Sequence, residues 1–193
     1  MAAEVIKRKG YGQVEPNHLS GIVTGQIYAQ LPADTTRTVA ANGTVTWTGI
    51  TQLEQGQFAK YDYAAGKVDF TGDGEFMLVY NEEKLYDERY QAHKDFVYKT
   101  ADFTDGKIYP RLIRTYVGDI MTTNTIELAN TSNVAEVTPV TSATLAVGNY
   151  LTVSATGFLT KANSKPESGM AWKVVKEYTM PDGQPGIKIQ RVQ

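Results

Sequence analysis

The chain has 193 residues and a mass of 21.3 kDa, 41% hydrophobic and 21% charged, with a net charge of −2. This fits one domain or two small ones with a real core and excludes a disordered or fibrous chain. It contains no cysteine, which excludes disulfides and thiolate zinc sites and makes synthesis in a cytoplasm the simpler expectation. Residues 1–53 sum to +1, 54–105 to −6 and 106–193 to +3, an acidic middle that argues against a nucleic-acid surface and suits head-to-tail contact between copies.

Residues 1–20 read as an extended N-terminal arm. Lys7, Arg8 and Lys9 are followed by Gly10, Gly12 and Pro16 with no sustained apolar periodicity. Such a segment is solvated in an isolated monomer or ordered by lying on something else. It lacks the apolar core of a secretory signal, and no run in the chain approaches the roughly 18 to 20 apolar residues that span a bilayer, so no membrane partner is expected.

A β-rich domain is expected over residues 21–128. The runs IVTGQIYAQL, TRTVAANGTVTWTGI, GQFAKYDY, KVDF and EFMLVY are short, rich in β-branched and aromatic residues, and separated by turn residues. Asn42-Gly43 is the strongest hairpin signal. In the strand after it, Val45 and Trp47 share one face and Thr44, Thr46 and Thr48 the other, which predicts a half-buried antiparallel strand. Between residues 81 and 97 lies a charged excursion. Asn81 stands as an N-cap, Glu82 and Glu83 fill the first turn, and Tyr86, Tyr90, His93 and Val97 recur at helical spacing, predicting a short amphipathic helix that reaches Tyr98. Strands resume with KIYPRLIRTYV, where Pro110 marks an edge or a new start.

Residues 129–142 are small and hydroxyl-rich and read as a surface loop. Residues 143–193 form a β-rich C-terminal lobe that can share a sheet with 107–128. The fold expected is therefore mainly β: two small antiparallel β-barrel or sandwich lobes, an extended N-terminal arm and at most one or two short helices.

The two halves echo each other. LEQGQFAKYDYAAGKVDF (Leu53 to Phe70) aligns with LAVGNYLTVSATGFLTKA (Leu145 to Ala162), and GEFMLVYNEE (Gly74 to Glu83) with GMAWKVVKEY (Gly169 to Tyr178). Each unit is expected to supply a three-strand meander, too small to be stable alone.

Reactive constellations are sparse. His18 and His93 have no metal-ligand spacing, so neither a metal nor another cofactor is expected. Glu82, Glu83, Asp87 and Glu88 could act as paired carboxylates in a hydrolase, but basic neighbours at i+3 and i+4 make them solvated ion-pair partners. DFTGDGE (Asp69 to Glu75) lacks calcium-loop spacing and reads as a hairpin turn. No G-x-S-x-G or phosphate loop occurs, so no catalytic residue is assigned. Twelve tyrosines and Trp47 suit half-buried sheets, interfaces or sugar stacking, which leaves a carbohydrate-binding β module on a virion or cell surface as an alternative reading.

The C-terminal phrases YVGDIMTTNTIEL, LAVGNYLTVSATGFLTKA and WKVVKEYTMPDGQPGIKIQRV resemble head structural and decoration proteins of tailed bacteriophages. The resemblance covers residues 110–193 best and rests on a V-G-D strand, a V-G-x-x-L strand with a glycine turn, and a PDGQ hairpin. It implies a non-enzymatic virion protein, present in many copies, that decorates or stabilises the capsid or serves as a minor head component. The partners implied are the major capsid protein and further copies of the chain in an icosahedral assembly or homo-oligomer, without nucleic acid. The location implied is the virion, after synthesis in the host cytoplasm. Lys7, Arg8, Lys9, Tyr11, Tyr86 and Tyr90 are the contact residues expected.

Overall fold

Short strands rich in Val, Ile, Thr and aromatics dominate the chain, in a computed structural model that describes residues 4–7, 11–15, 27–80, 97–100, 107–127 and 142–193. In chain order these are β1 (Glu4–Lys7), β2 (Ile27–Tyr28), β3 (Thr35–Val39), β4 (Val45–Gly49), β5 (Gln52–Glu54), β6 (Phe58–Asp62), β7 (Lys67–Asp69), β8 (Met77–Val79) and β9 (Val97–Lys99). They continue with β10 (Leu112–Ile113), β11 (Ile120–Thr123), β12 (Ile126–Glu127), β13 (Ser142–Leu145), β14 (Tyr150–Val153), β15 (Leu159–Ala162), β16 (Ala171–Thr179) and β17 (Pro185–Arg191). The protein is mainly β, as the sequence predicts. Most of the body of the predicted helix, 81–96, lies outside the described residues, while Val97 and Tyr98, placed at its end by the sequence, instead pair with β5 in β9. The 129–142 loop lies outside the described residues except for Ser142, which opens β13.

Two sheets form the body. One runs β2-β10-β8-β6-β7 and the other β11-β17-β16-β14-β15-β12, antiparallel throughout except for the β12–β15 pair. The strands at 120–123 and 126–127 thus lie in the same sheet as the C-terminal strands. Side chains alternate across the pleat, so the first sheet is apolar on both faces. Phe58 and Leu78 face the second sheet and join Met121, Leu151, Trp172 and Ile189 in one core. Ala59, Met77 and Val79 face the other way, onto Leu53, Ile108 and Leu112. Phe58 and Trp172 stand with ring centroids 5.8 Å apart at the join. Truncating either ring to alanine would cost about 3–5 kcal/mol. The two lobes are therefore joined through a shared core.

The internal repeat is present in three dimensions, with a different strand order from the meander expected. In each unit the first strand is central: β6 lies between β7 and β8, and β14 lies between β15 and β16. The segment from Asp69 to Glu75 is consequently a crossover from β7 to β8 past β6, and the hairpin turn expected there is corrected. Asp69 closes its start by accepting the amides of Thr71 at 3.0 Å and Gly72 at 2.6 Å.

One turn occurs three times among the described residues. The Gln57 amide donates to the Glu54 carbonyl at 3.2 Å, while the Gln57 side-chain oxygen accepts the Glu54 amide at 2.5 Å. Asn149 makes the same reciprocal pair with Ala146, and Asp119 makes it with Tyr116. The glycine before each, Gly56, Gly118 or Gly148, has φ between 90° and 100°, the left-handed region that only glycine enters without strain. The sequence comparison finds two copies of this turn. The third, Thr115 to Asp119, has no leucine at its start and escapes alignment.

Residues 11–15, placed by the sequence in a solvated arm, are built into the body. The Gly12 amide donates to Glu54 Oε2 at 2.6 Å, and the Gln13 amide donates to Asn124 Oδ1 at 2.9 Å. The Gln13 carbonyl accepts the Thr123 hydroxyl at 2.6 Å, and the Glu15 amide donates to the Thr122 carbonyl at 2.9 Å. Gln13, Val14 and Glu15 are all buried. A Cβ on Gly12 would collide with the Thr125 side chain and stand 2.7 Å from the Gln55 carbonyl. The segment thus fits only as glycine there. Further back, β1 pairs antiparallel with β13. The arm is extended, and its described parts lie on its own chain.

Candidate assembly surface

The β3–β4 ribbon stands apart from both sheets, as do the β1–β13 and β5–β9 pairs. Among the described residues β3 and β4 pair only with each other, in register from Thr35 opposite Gly49 to Val39 opposite Val45. The sequence predicts a half-buried strand after Asn42-Gly43, whereas residues 36–46, 48 and 49 are all exposed, so described side chains on both faces of the ribbon are open. Val39 and Val45, a cross-strand pair near the tip, are 51% and 40% exposed. A two-stranded ribbon is marginal in water by itself. This one is anchored at its base, where the Ile50 amide donates to the Asp34 carbonyl at 2.8 Å and the Thr35 hydroxyl donates to the Ile50 carbonyl at 2.7 Å. Lys67 reaches Asp34 at 2.9 Å and ties that base to β7.

The tip is a tight turn. The Gly43 amide donates to the Ala40 carbonyl at 2.9 Å, and the Thr44 amide donates to Asn42 Oδ1 at 3.0 Å. Ala41 and Asn42 are therefore its central residues, and Gly43, with φ 82°, follows in the left-handed region. The Asn42-Gly43 signal locates the hairpin, with the turn displaced by one residue from the two-residue form. The PDGQ phrase folds the same way: Gly183 donates to Met180, and Gln184 to Asp182 Oδ1.

A cleft of about 350 Å³ opens where the two sheets meet, lined among others by Lys60, Glu75, Phe76, Val153, Met170 and Arg191. Lys60 Nζ sits 4.6 Å from the centre of the Phe76 ring. Arg191 is committed to the fold. Its guanidinium donates to the Thr115 carbonyl and hydroxyl, to the Gln193 carbonyl at 2.9 Å and to Glu75 at 2.5 Å. Burial pushes the nearby Asp119 carboxyl above its ordinary range, against the opposing pull of the Tyr116 amide and of Arg191. Arg191 and Glu75 are far apart in sequence, and no local pattern marks them as a pair.

Of the contact residues expected from sequence, Tyr11 is half-buried, with Lys99 Nζ 4.8 Å from its ring centre, so its aromatic face already serves an intramolecular contact. Lys7 is placed by its backbone, opposite Ser142 in the β1–β13 ladder. Arg8, Lys9, Tyr86 and Tyr90 lie outside the described residues, as do Glu82, Glu83, Asp87, Glu88 and both histidines. Among the described residues no group of three or more His, Asp or Glu side chains is placed to hold a metal ion, and no helix is long and apolar enough to cross a membrane.

Comparison with protein-family models, with curated proteins and with solved structures gives no match.

Proposed function

We propose that the chain is a non-enzymatic bacteriophage virion protein that binds the capsid shell as a decoration, stabilising or minor head component. One observation carries the reading. The V-G-D, V-G-N and PDGQ phrases that resemble phage head proteins are the phrases that build the turns of this scaffold, so the likeness concerns residues on which the fold depends. A ribbon whose described side chains are open on both faces supports the reading from another side, because a repeated contact becomes effective when many copies engage at once. The test is co-sedimentation of the purified chain with shells stripped of their accessory proteins. Binding that saturates at a fixed ratio to the shell subunit supports the reading, and folded protein that stays in the supernatant at every concentration counts against it.

A carbohydrate-binding role is the second reading, favoured by Tyr63, which is 71% exposed and packs edge-on to Tyr61 at 5.6 Å. A glycan array that yields one reproducible ligand class, lost in Tyr63→Ala, would favour it over shell binding.

A further inference from the structure

We propose that Asn42 is a site of self-modification, where the backbone nitrogen of Gly43 displaces ammonia from the Asn42 side chain, and that the bonds of the hairpin tip hold this reaction back. The sequence sets the chemistry. Asn42 is the one asparagine in the chain followed by glycine, whereas the others precede His, Glu, Thr, Val, Tyr or Ser. A neighbour without a side chain leaves the backbone nitrogen unhindered and lets the peptide turn toward the side-chain amide. The Gly43 nitrogen gives its proton to hydroxide and bonds to Asn42 Cγ, the Cγ–Nδ2 bond breaks, and ammonia leaves with a proton taken from water. A five-membered succinimide remains. Water then opens it at either carbonyl. Opening at Cγ leaves an aspartyl residue at position 42, while opening at the backbone carbonyl leaves an isoaspartyl residue whose main chain runs through Cβ and Cγ. Either product adds one negative charge to a chain of net charge −2.

Both reacting groups are held by the tip. The Gly43 amide, whose proton must leave, donates to the Ala40 carbonyl at 2.9 Å. Asn42 Oδ1 accepts the Thr44 amide at 3.0 Å, which fixes the side chain that must meet the Gly43 nitrogen. The Ala40 amide donates to the Thr44 carbonyl at 2.9 Å and closes the loop around both. Ring closure requires the Gly43 nitrogen to turn onto Cγ, so the first two bonds must open before it. The folded chain therefore reacts only through the fraction of molecules whose tip is open. Two hydrogen bonds of ordinary net strength lower that fraction about ten- to thirtyfold. The isoaspartyl product carries one extra backbone atom in the loop beyond the Val39–Val45 pair, so the tip bonds cannot re-form in the same geometry. Opening followed by reaction is thus one-way. The inference does not rest on the virion reading, since it follows from the hairpin tip alone.

Peptide mapping by mass spectrometry tests it, on the purified full chain incubated at mildly alkaline pH in buffer and in guanidinium. Trypsin releases the peptide from Thr38 to Lys60, in which Asn42 is the one asparagine, and conversion of amide to acid shifts its mass. The expected result in guanidinium is conversion at Asn42 ahead of every other asparagine, with conversion about ten- to thirtyfold slower in buffer. Thr44→Pro, which removes the amide that holds Oδ1, should bring the rate in buffer toward the unfolded rate, while near-ultraviolet circular dichroism from the core around Trp172 reports that the fold is kept. If the variant loses its core, the comparison of wild type in buffer and in guanidinium decides alone. Equal rates in the two solvents overturn the restraint by the hairpin, as does faster conversion in buffer or a folded Thr44→Pro variant that reacts no faster than the wild type. An Asn42 that stays unchanged in guanidinium overturns the site itself.

Discussion

Gln57 and Asn149 do the same work in the two halves of the chain: each side-chain oxygen accepts the backbone amide three residues earlier and closes a glycine turn from the inside. In both places the glycine amide just before it donates to a valine of the third strand in its unit, Gly56 to Val79 and Gly148 to Val174, and that valine's amide donates back, to the Gln57 or Asn149 carbonyl. The turn therefore sets the register of the third strand of each unit beside the first. Gln57 has a further task, donating to the Thr156 carbonyl at 3.0 Å across to the other lobe.

That difference predicts unequal costs. Gln57→Leu should lose about 2–3 kcal/mol, because it leaves the Glu54 amide and the Thr156 carbonyl without this partner in a buried setting, and Asn149→Leu about 1 kcal/mol. Urea denaturation of the two variants measures it, and equal losses would mean that the bond to Thr156 contributes nothing.

The turn glycines should separate conformational strain from crowding. Gly118→Ala meets no atom within 4 Å and pays for its positive φ alone, about 1–2 kcal/mol. Gly56→Ala pays the same and also drives a Cβ into Thr125, so its midpoint in urea should fall further than that of Gly118→Ala.

Much of the scaffold is legible in the chain because its signals are local. Alternating β-branched residues mark the strands, and Leu-x-x-Gly followed by an amide residue marks two of the three turns. The central place of β6 and β14 is not local, since nothing in the crossover from Asp69 to Glu75 says which side of β6 the chain will reach. Residues 11–15 are equally opaque. Their burial depends on partners at Glu54 and at 122–125, far along the sequence, while their own composition is that of a loop. The exposure of the β3–β4 ribbon is hidden for the opposite reason: its valines and threonines alternate as in a half-buried strand, yet the two sheets close without it.

Removing residues 1–15 should therefore damage the isolated protein, contrary to what a solvated arm would give. Loss of the bonds made by Gly12, Gln13 and Glu15 should cost about 3 kcal/mol or more, a fall in Tm of about 6–12 °C. A thermal scan of the truncated chain decides this, and an unchanged Tm would mean that the segment adds nothing to the fold.

Asp119 predicts a pH dependence with a definite sign. Its folded pKa is raised above 3.8 by burial, so the ionised carboxylate weakens the fold. The penalty is complete above the folded pKa and is relieved as pH falls through that value toward 3.8. Asp119→Asn can keep the Tyr116 bond, as Asn149 does with Ala146, without carrying the charge. The variant should melt above the wild type at pH 7, and the gap should narrow as pH falls through the raised folded pKa toward 3.8. A variant less stable than the wild type at pH 7 would show that attraction to Arg191 outweighs burial.

The virion reading is tested most directly by quantitative mass spectrometry of purified phage particles. The account predicts this chain at a constant ratio to the major shell protein across independent preparations. Particles that contain the shell protein and lack this chain altogether would contradict it.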